Sequence, residues 1–181
     1  TTQRISLTEY ELELFRQACK TPRERAIVET FYSTACRVSE LAIIKLSDIN
    51  WDTGEVHIFG KGQKHRTSFI NARARVAIEN YMKKERQGDS DWLFTSSRKP
   101  FGHLSKAAIE KIIKGIDERA INIHKKVPPH IQRHTSATLA LHNGMDINEI
   151  SKLLGHDSIE TTMIYAKTSY DSVRQSHAKY I

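Results

Sequence analysis

The chain has 181 residues, of which 39% are hydrophobic and 27% are charged, as is typical of one soluble globular domain. No apolar run approaches the roughly eighteen residues that a membrane span needs, so the sequence predicts a cytoplasmic protein. Lys and Arg outnumber Asp and Glu by 28 to 21, and the net charge of +7 favours a polyanionic partner such as nucleic acid. Cys19 and Cys36 fall in apolar helical patterns and are expected to be reduced core residues.

The first third of the chain is predicted to be helical and to be followed by a β-hairpin. Thr8 with Glu11 forms a capping box, and Thr21 precedes a proline at the first position of a second helix. A third helix is expected over residues 39–46. Alternating apolar residues from 55 to 58, a glycine-bearing turn and a returning segment at 66–70 predict a small hairpin or part of a three-stranded sheet.

The rest of the chain is predicted to return to helices. These are expected over residues 72–87, after Ser105, after Pro128, after Asp146 and over 161–167, with a short strand at 91–94. A capping box is predicted at 157–160, and residues 169–181 form a detached polar helix or tail. The expected fold class is therefore α+β, mainly α-helical, with a small antiparallel sheet on one edge.

Four groups of residues could carry chemistry. His130 and Arg133 would share one face of a helix, where a guanidinium can grip a phosphate and an imidazole can move a proton. His156 follows the glycine exit of a helix, and Tyr165 lies one helix further on. The hairpin tip carries four basic residues, namely Lys61, Lys64, His65 and Arg66. Each feature alone also fits a plainer interpretation, namely surface polar residues, a core tyrosine or a solvated turn.

Together and in this order, these features resemble the motifs of the tyrosine recombinases, the phage-integrase and Xer family. The resemblance extends from about residue 7 to residue 165. The matching segments are residues 34–41 with Arg37 and Glu40, 58–66 with Lys61, 129–134 with His130 and Arg133, and 154–165 with His156 and Tyr165.

The resemblance implies site-specific DNA recombination through a covalent intermediate. Tyr165 would attack a phosphodiester, form a 3′-phosphotyrosyl bond and release a 5′-hydroxyl, without ATP, cofactor or metal. Arg37 and Arg133 would stabilise the charge of the transition state. The remaining roles implied by the resemblance are a general base for His130, a general acid for Lys61, a hydrogen bond to the phosphate for His156, and the positioning of a cation for Glu40, with His134 as a structural residue.

The same resemblance implies the domain boundaries and the partners. Residues 1–168 would be the catalytic domain, and residues 169–181 a tail or helix that packs into a neighbouring protomer. The expected partner is double-stranded DNA, bound by four protomers on two duplexes, with a monomer in the absence of DNA and no membrane. Relatives normally carry an amino-terminal helical domain that clamps the DNA, and we expect it to be absent from this chain.

Three other interpretations stay open at the level of sequence. A type IB topoisomerase would use the same chemistry to relax one duplex rather than exchange strands. A non-catalytic DNA-binding module would use residues 146–155 and 157–167 as a helix-turn-helix. A helical metalloenzyme would use His130 and His134, four residues apart, as a metal pair, although no acidic third ligand accompanies them. Within the recombinases, the abundance of mobile-element integrases favours that biological role.

Overall fold

The computed structural model describes residues 6–120, 123, 126–156, 159–165 and 170–181. Two antiparallel strands, β1 (Glu55–Phe59) and β2 (His65–Phe69), lie within an otherwise helical chain. The described helices are α1 (Glu9–Gln17), α2 (Pro22–Thr34), α3 (Val38–Ala42), α4 (Ala72–Lys84), α5 (Lys106–Arg119), α6 (Pro129–His142), α7 (Ile147–Leu154), α8 (Ile159–Thr162) and α9 (Tyr170–Tyr180). The mainly helical α+β class predicted from the sequence is confirmed.

The helices begin where the sequence places their caps. The side chains of Thr8, Thr21, Ser105 and Asp146 each accept a hydrogen bond from a backbone N–H of the helix that follows. These bonds satisfy donors that have no partner within the helix. The predicted capping box at residues 157–160 involves residues 157 and 158, which lie outside the described part of the chain.

The hairpin is fixed to the carboxyl end of α2. Val56 and Ile58 of β1 are fully buried on its inner face, as their alternation with polar residues predicts. The hydroxyl of the buried Ser68 donates to the carbonyl of Thr34 at 2.8 Å. This bond attaches β2 to the point where the chain leaves α2, so the hairpin has a defined position beside the start of α3.

Two groups of buried apolar side chains form the core. The larger one joins α1, α2, α4, α5 and the hairpin, and includes Phe15, Phe31, Ile58, Ile78 and Ile109. The smaller one joins the end of α2 to α6 and α7, and consists of Ala35, Ala137, Ile150 and Leu154. Tyr165 packs against this smaller group.

Four of the predicted elements are wrong in extent or type. The helix expected over 72–87 ends at Lys84. The helix expected over 39–46 ends at Ala42, because the backbone beyond it pairs with another segment: Leu93 N–H donates to the carbonyl of Ile44, and Leu46 N–H to that of Asp91. For the same reason, the strand expected at 91–94 is an isolated bridge between Lys45 and Trp92. The helix expected over 161–167 is α8 followed by a 3-10 turn at Met163–Tyr165, and residues 166–169 lie outside the described part.

The two cysteines are free thiols, and they lie just beyond helices rather than inside them. Cys36 is buried between α2 and α3, and burial raises the pKa of its thiol to about 11. Burial likewise raises the pKa of the half-buried Cys19 to about 12. In the part of the chain that the structure describes, every helix is too short or too polar to cross a lipid bilayer.

Candidate active site

A cavity of about 810 Å³ lies between the start of α3, the start of α6 and the segment that ends at Tyr165. Five of the predicted site residues line it: Arg37, His130, Arg133, His156 and Tyr165. They come from segments that are far apart in the sequence, and the fold brings them to one opening.

The ends of helices position these side chains. Ala35 takes a left-handed conformation, with φ of 52°, and turns the chain from α2 toward Arg37. Pro129 begins α6, so that His130 and Arg133 lie in its first turns. Gly155 is also left-handed, with φ of 72°, and turns the chain out of α7 toward His156.

The buried carboxylate of Glu40 lies beneath the cavity, among three arginines. Arg66 binds it through two hydrogen bonds, from Nη1 to Oε2 at 2.7 Å and from Nη2 to Oε1 at 2.9 Å. Nη1 of Arg133 is 3.7 Å from Oε1, and Nη1 of Arg37 is 3.8 Å from Oε2. Burial opposes the charge of Glu40, but the hydrogen bonds from Arg66 and from the backbone N–H of Arg37, with the nearby positive charges, lower its pKa.

The guanidinium of Arg133 is held by two helix ends. Nη1 donates to the carbonyl of Ala35 at 3.0 Å, and Nη2 donates to the carbonyl of Leu154 at 2.7 Å. Burial and then the charges of Arg37 and Arg66 lower its pKa to about 10, so it keeps its charge at neutral pH. A guanidinium has five N–H donors, and the two bonds to carbonyls therefore leave donors for an anion in the cavity.

His156 forms a short contact with a threonine of α8. Its Nδ1 lies 2.6 Å from the hydroxyl oxygen of the buried Thr162. Burial lowers the pKa of His156, and the charges of Arg133, Arg37 and Arg66 lower it further, so the ring is neutral at pH 7. The contact with Thr162 engages Nδ1 and leaves Nε2 as the ring nitrogen available to a ligand.

Tyr165 is half-buried, and its ring is held between the smaller apolar group and His134. The centroids of the Tyr165 and His134 rings are 4.8 Å apart, with a tilt of 42°. His134 is buried and also lines the cavity. The sequence predicts only a structural role for His134, whereas the structure shows it in direct contact with the tyrosine.

Lys61 is the predicted site residue that the fold does not bring to the cavity. It is exposed at the tip of the hairpin, in a 3-10 turn (Lys61–Gln63) that includes Gly62 with φ of 70°. It is not among the described residues that line the cavity. The same hairpin is attached to the site close to its turn, because Arg66, which pairs with Ile58, binds Glu40 and donates from Nε to the carbonyl of Leu153 at 2.8 Å.

Sequence reasoning named Arg66 only as one of the basic residues of the hairpin tip, and it did not single out Lys106 or Thr162 as site residues. Arg66 had a detectable signal, since positions 66 and 68 of β2 face inward and a charged residue at an inward position needs a buried partner. Lys106 lines the cavity from the first residue of α5. Its place there depends on how α5 packs, and the place of Thr162 beside His156 depends on how α8 packs against α7.

No group of three or more His, Cys, Asp or Glu side chains that could hold a metal ion occurs among the described residues. His130 and His134, the pair that the alternative metalloenzyme would use, both line the cavity, and the His134 ring packs against Tyr165.

We expect Glu40→Gln to lower the free energy of unfolding by about 3 kcal/mol, because it removes the charge that holds buried arginines together. The measurement is urea denaturation at neutral pH. Since the pKa of Glu40 is lowered in the folded state, its contribution is complete above its ordinary value of 4.5 and declines as the pH falls below that value. Glu79→Gln, which removes a carboxylate from an exposed pair with Arg75, is the control and should cost less than about 0.5 kcal/mol. Equal losses in both variants would contradict the central role of Glu40.

We expect Arg37→Gln to raise the pKa of His156, because it removes one of the positive charges that disfavour the imidazolium. The measurement is an NMR titration of the His156 ring protons. Arg75→Gln, which removes an exposed arginine of α4, is the control and should leave the titration unchanged. A His156 pKa that falls or stays constant in Arg37→Gln would show that Arg37 does not act on this ring.

The sequence matches the model of the phage integrase family over residues 6–172. The tyrosine recombinase XerC of Oceanobacillus iheyensis is 36% identical over 165 residues, which cover 87% of this chain and 53% of that protein. The tyrosine recombinase XerA of Pyrococcus furiosus is 38% identical over 175 residues, which cover 94% of this chain and 60% of that protein. The chain therefore spans between half and three-fifths of the length of these two relatives.

Solved structures show the same fold. The crystal structure of XerA recombinase has a TM-score of 0.85 and 32% identity, with 99% of this chain and 66% of that chain covered. The XerH site-specific recombinase bound to difH substrate has a TM-score of 0.79 at 22% identity, with 98% of this chain and 55% of that chain covered, and it supports the fold alone. With the match to the family model over residues 6–172, these similarities establish that the chain belongs to the phage integrase family, the family of the tyrosine recombinases.

Proposed function

We propose that this chain is the strand-cutting and strand-joining domain of a site-specific DNA recombinase, with Tyr165 as its nucleophile. The observation that carries the proposal is that Tyr165 shares one cavity with two arginines and three histidines. Such a set can hold a phosphate, bear its charge and move a proton, which are the three requirements of phosphoryl transfer.

In the proposed reaction, the hydroxyl oxygen of Tyr165 attacks the phosphorus of a DNA phosphodiester. A tyrosyl–phosphorus bond forms, the bond to the 5′-oxygen breaks, and that oxygen leaves as a hydroxyl after it takes a proton. The 5′-hydroxyl of another strand then attacks the phosphotyrosyl bond and releases Tyr165. Because the ester bond is conserved through both steps, strand joining needs no ATP.

The two arginines of the cavity bind the reacting phosphate. Carbonyl oxygens and Glu40 already orient Arg133, so its charge is in place before DNA binds. Arg37 is half exposed, and it is expected to become ordered on the phosphate. Fixed guanidinium charges stabilise the extra negative charge of the transition state without a metal ion.

Proton transfer is assigned to groups on both sides of the phosphate. His130, exposed at the mouth of the cavity, accepts the proton of Tyr165. His156 donates a hydrogen bond from Nε2 to a phosphate oxygen, since its Nδ1 contacts Thr162. Lys61 donates a proton to the departing 5′-oxygen, which requires the tip of the hairpin to close over the cavity when DNA is bound.

The proposed partner is double-stranded DNA, as the net charge of +7 favours. The solved structures of the related XerH and of lambda integrase are described as bound to a difH substrate and to a core site, respectively. We further propose that four protomers act on two duplexes in the cytoplasm. The described side chains of α9, including Val173 and Tyr180, are exposed and available to a neighbouring protomer.

Tyr165→Phe is expected to abolish a covalent protein–DNA adduct that the wild type forms, because the attacking oxygen is missing. The measurement uses a library of nicked duplexes with randomised sequence, in which the released fragment cannot rejoin, and denaturing gels without ATP. Tyr10→Phe, at a tyrosine that is 70% exposed in α1, is the control and should form the adduct normally. An adduct in Tyr165→Phe would remove this residue from the role, and no adduct in the wild type would contradict the proposed reaction.

Lys61→Ala is expected to slow cleavage by roughly 10²–10⁴-fold, the contribution of a general acid. A substrate with sulfur in place of the bridging 5′-oxygen should cancel this loss, because a thiolate leaves without being protonated. Lys64→Ala changes the same exposed turn and should affect neither substrate by a comparable factor. If the sulfur substrate is also cleaved slowly by Lys61→Ala, the lysine does not protonate the leaving group.

A further inference from the structure

A second basic cavity lies on the side of α5 that faces away from the candidate active site. Its volume is about 510 Å³, and its walls are the start of α2, residues 96–98 and one face of α5. The helix advances by about 100° per residue, so Lys111 and Gly115 lie roughly 140° and 180° around α5 from Lys106. Lys106 lines the candidate active site, whereas Lys111 and Gly115 line the second cavity.

Positive charge is in excess in this cavity. Glu24 is its one carboxylate among the lining residues that the structure describes, and it is paired with Arg119 and accepts from the backbone N–H of Lys20. The other cationic side chains of the lining have no carboxylate partner within the described part of the chain: Arg23, Arg98 and Lys111. Three like charges around one opening repel each other, and an anion between them would relieve the repulsion.

Arg23 gives a second indication of an anion. Its Nε is buried without a hydrogen-bond acceptor among the described residues, and its Nη1 makes one long bond, of 3.5 Å, to the carbonyl of Thr95. A buried charged donor without an acceptor is costly. The guanidinium therefore lies at the wall of the cavity with donors that the described protein atoms do not fully satisfy.

The shape of the cavity also suits a small anion. Ala108 and Gly115 are small residues, so the α5 wall leaves space in the cavity. A Cβ built on Gly115 would have only the Arg119 side chain within 4 Å, at 3.7 Å. Ser96 and Ser97, two small hydroxyl residues, line the opposite wall. Arginine forks with hydroxyl donors are a usual arrangement for binding phosphate oxygens.

We propose that this cavity is a second phosphate-binding site, separate from the candidate active site, with Arg23, Arg98 and Lys111 as its cations. The DNA backbone is the source that the geometry favours, an assignment that rests on the proposed function. The major groove is about 12 Å wide and admits one α-helix, which is 10–12 Å across with its side chains. A helix in that groove has phosphates of the two strands on its two sides, and α5 has a basic cavity on each side.

The first experiment measures duplex affinity as a function of salt. It compares two double variants. The first carries Arg98→Ala and Lys111→Ala, and the control carries Lys83→Ala and Lys84→Ala, which remove two exposed charges at the end of α4. Both are made in Tyr165→Phe, so that cleavage does not interfere, and a 30-base-pair duplex of arbitrary sequence is the probe. One lost phosphate contact should make the slope of log affinity against log salt shallower by about 0.9 and weaken binding roughly tenfold at 0.1 M salt. The control should keep the slope of its parent.

The second experiment tests the site with inorganic phosphate alone. The Nε–Hε signal of Arg23 is followed by NMR during titration of the wild-type chain, with potassium chloride at equal ionic strength as the control. A shift with phosphate that disappears in the Arg98→Ala, Lys111→Ala chain supports the site. If it occurs without a change of salt slope, the site binds a free phosphate rather than the DNA backbone. No shift and an unchanged slope would overturn the proposal.

Neither experiment depends on chemistry at Tyr165. A failed covalent adduct together with a reduced salt slope would contradict the proposed reaction and leave the second phosphate site supported. A normal adduct with an unchanged slope and no phosphate shift would support the proposed reaction and contradict the second phosphate site.

Discussion

The candidate active site depends on one buried carboxylate. Glu40 forms two hydrogen bonds with Arg66 and lies within 4 Å of a guanidinium nitrogen of Arg133 and of Arg37. Three guanidinium groups cannot converge without a compensating negative charge, because their mutual repulsion grows as the surroundings become less polar. Glu40 supplies that charge from α3, and it joins three elements that are distant in the chain, namely α3, β2 and α6. Arg133 can therefore face a phosphate in a fixed orientation, with Arg37 beside it at the opening.

The turn at the exit of α7 packs closely against Arg66, the main partner of this carboxylate. Arg66 passes beside Gly155, where a Cβ would come within 2.8 Å of the Arg66 Cδ. Gly155 also has a positive φ of 72°, so two independent constraints favour glycine at the exit of α7. Because the next residue is His156 and the preceding carbonyls bind Arg66 and Arg133, one turn orients a histidine and two arginines. A change at this turn would displace all of them together.

Fixed and movable groups are divided between different parts of the fold. Arg133 and His156 are held by carbonyl and hydroxyl groups, and Tyr165 is held by apolar packing and the His134 ring. Lys61, in contrast, is exposed in the turn of the hairpin, and the attachment of that hairpin through Arg66 lies in β2 rather than in the turn itself. An arrangement of this kind prepares the charge-stabilising groups in advance and leaves the proposed proton donor to arrive with DNA. The basic cavities on the two sides of α5 likewise place positive charge around one helix before the proposed DNA partner binds.

The sequence by itself determined the features that depend on neighbouring residues. Helix caps at Thr8, Thr21, Ser105 and Asp146, the hairpin turn and the glycine exits follow local rules, because the atoms involved are only a few positions apart. The order of the motif residues from Arg37 to Tyr165 was also sufficient to indicate the family.

Tertiary structure decided what depends on distant pairing. The end of α3 at Ala42 results from backbone bonds to residues 91 and 93, which local propensity does not include. Arg66 and Lys106 acquire their places only when β2 and α5 pack beside α3 and α6. The position of Lys61, exposed and apart from the cavity, follows from the hairpin geometry. In each case the deciding contact joins residues far apart in the chain, and its free energy exists only after the elements have packed.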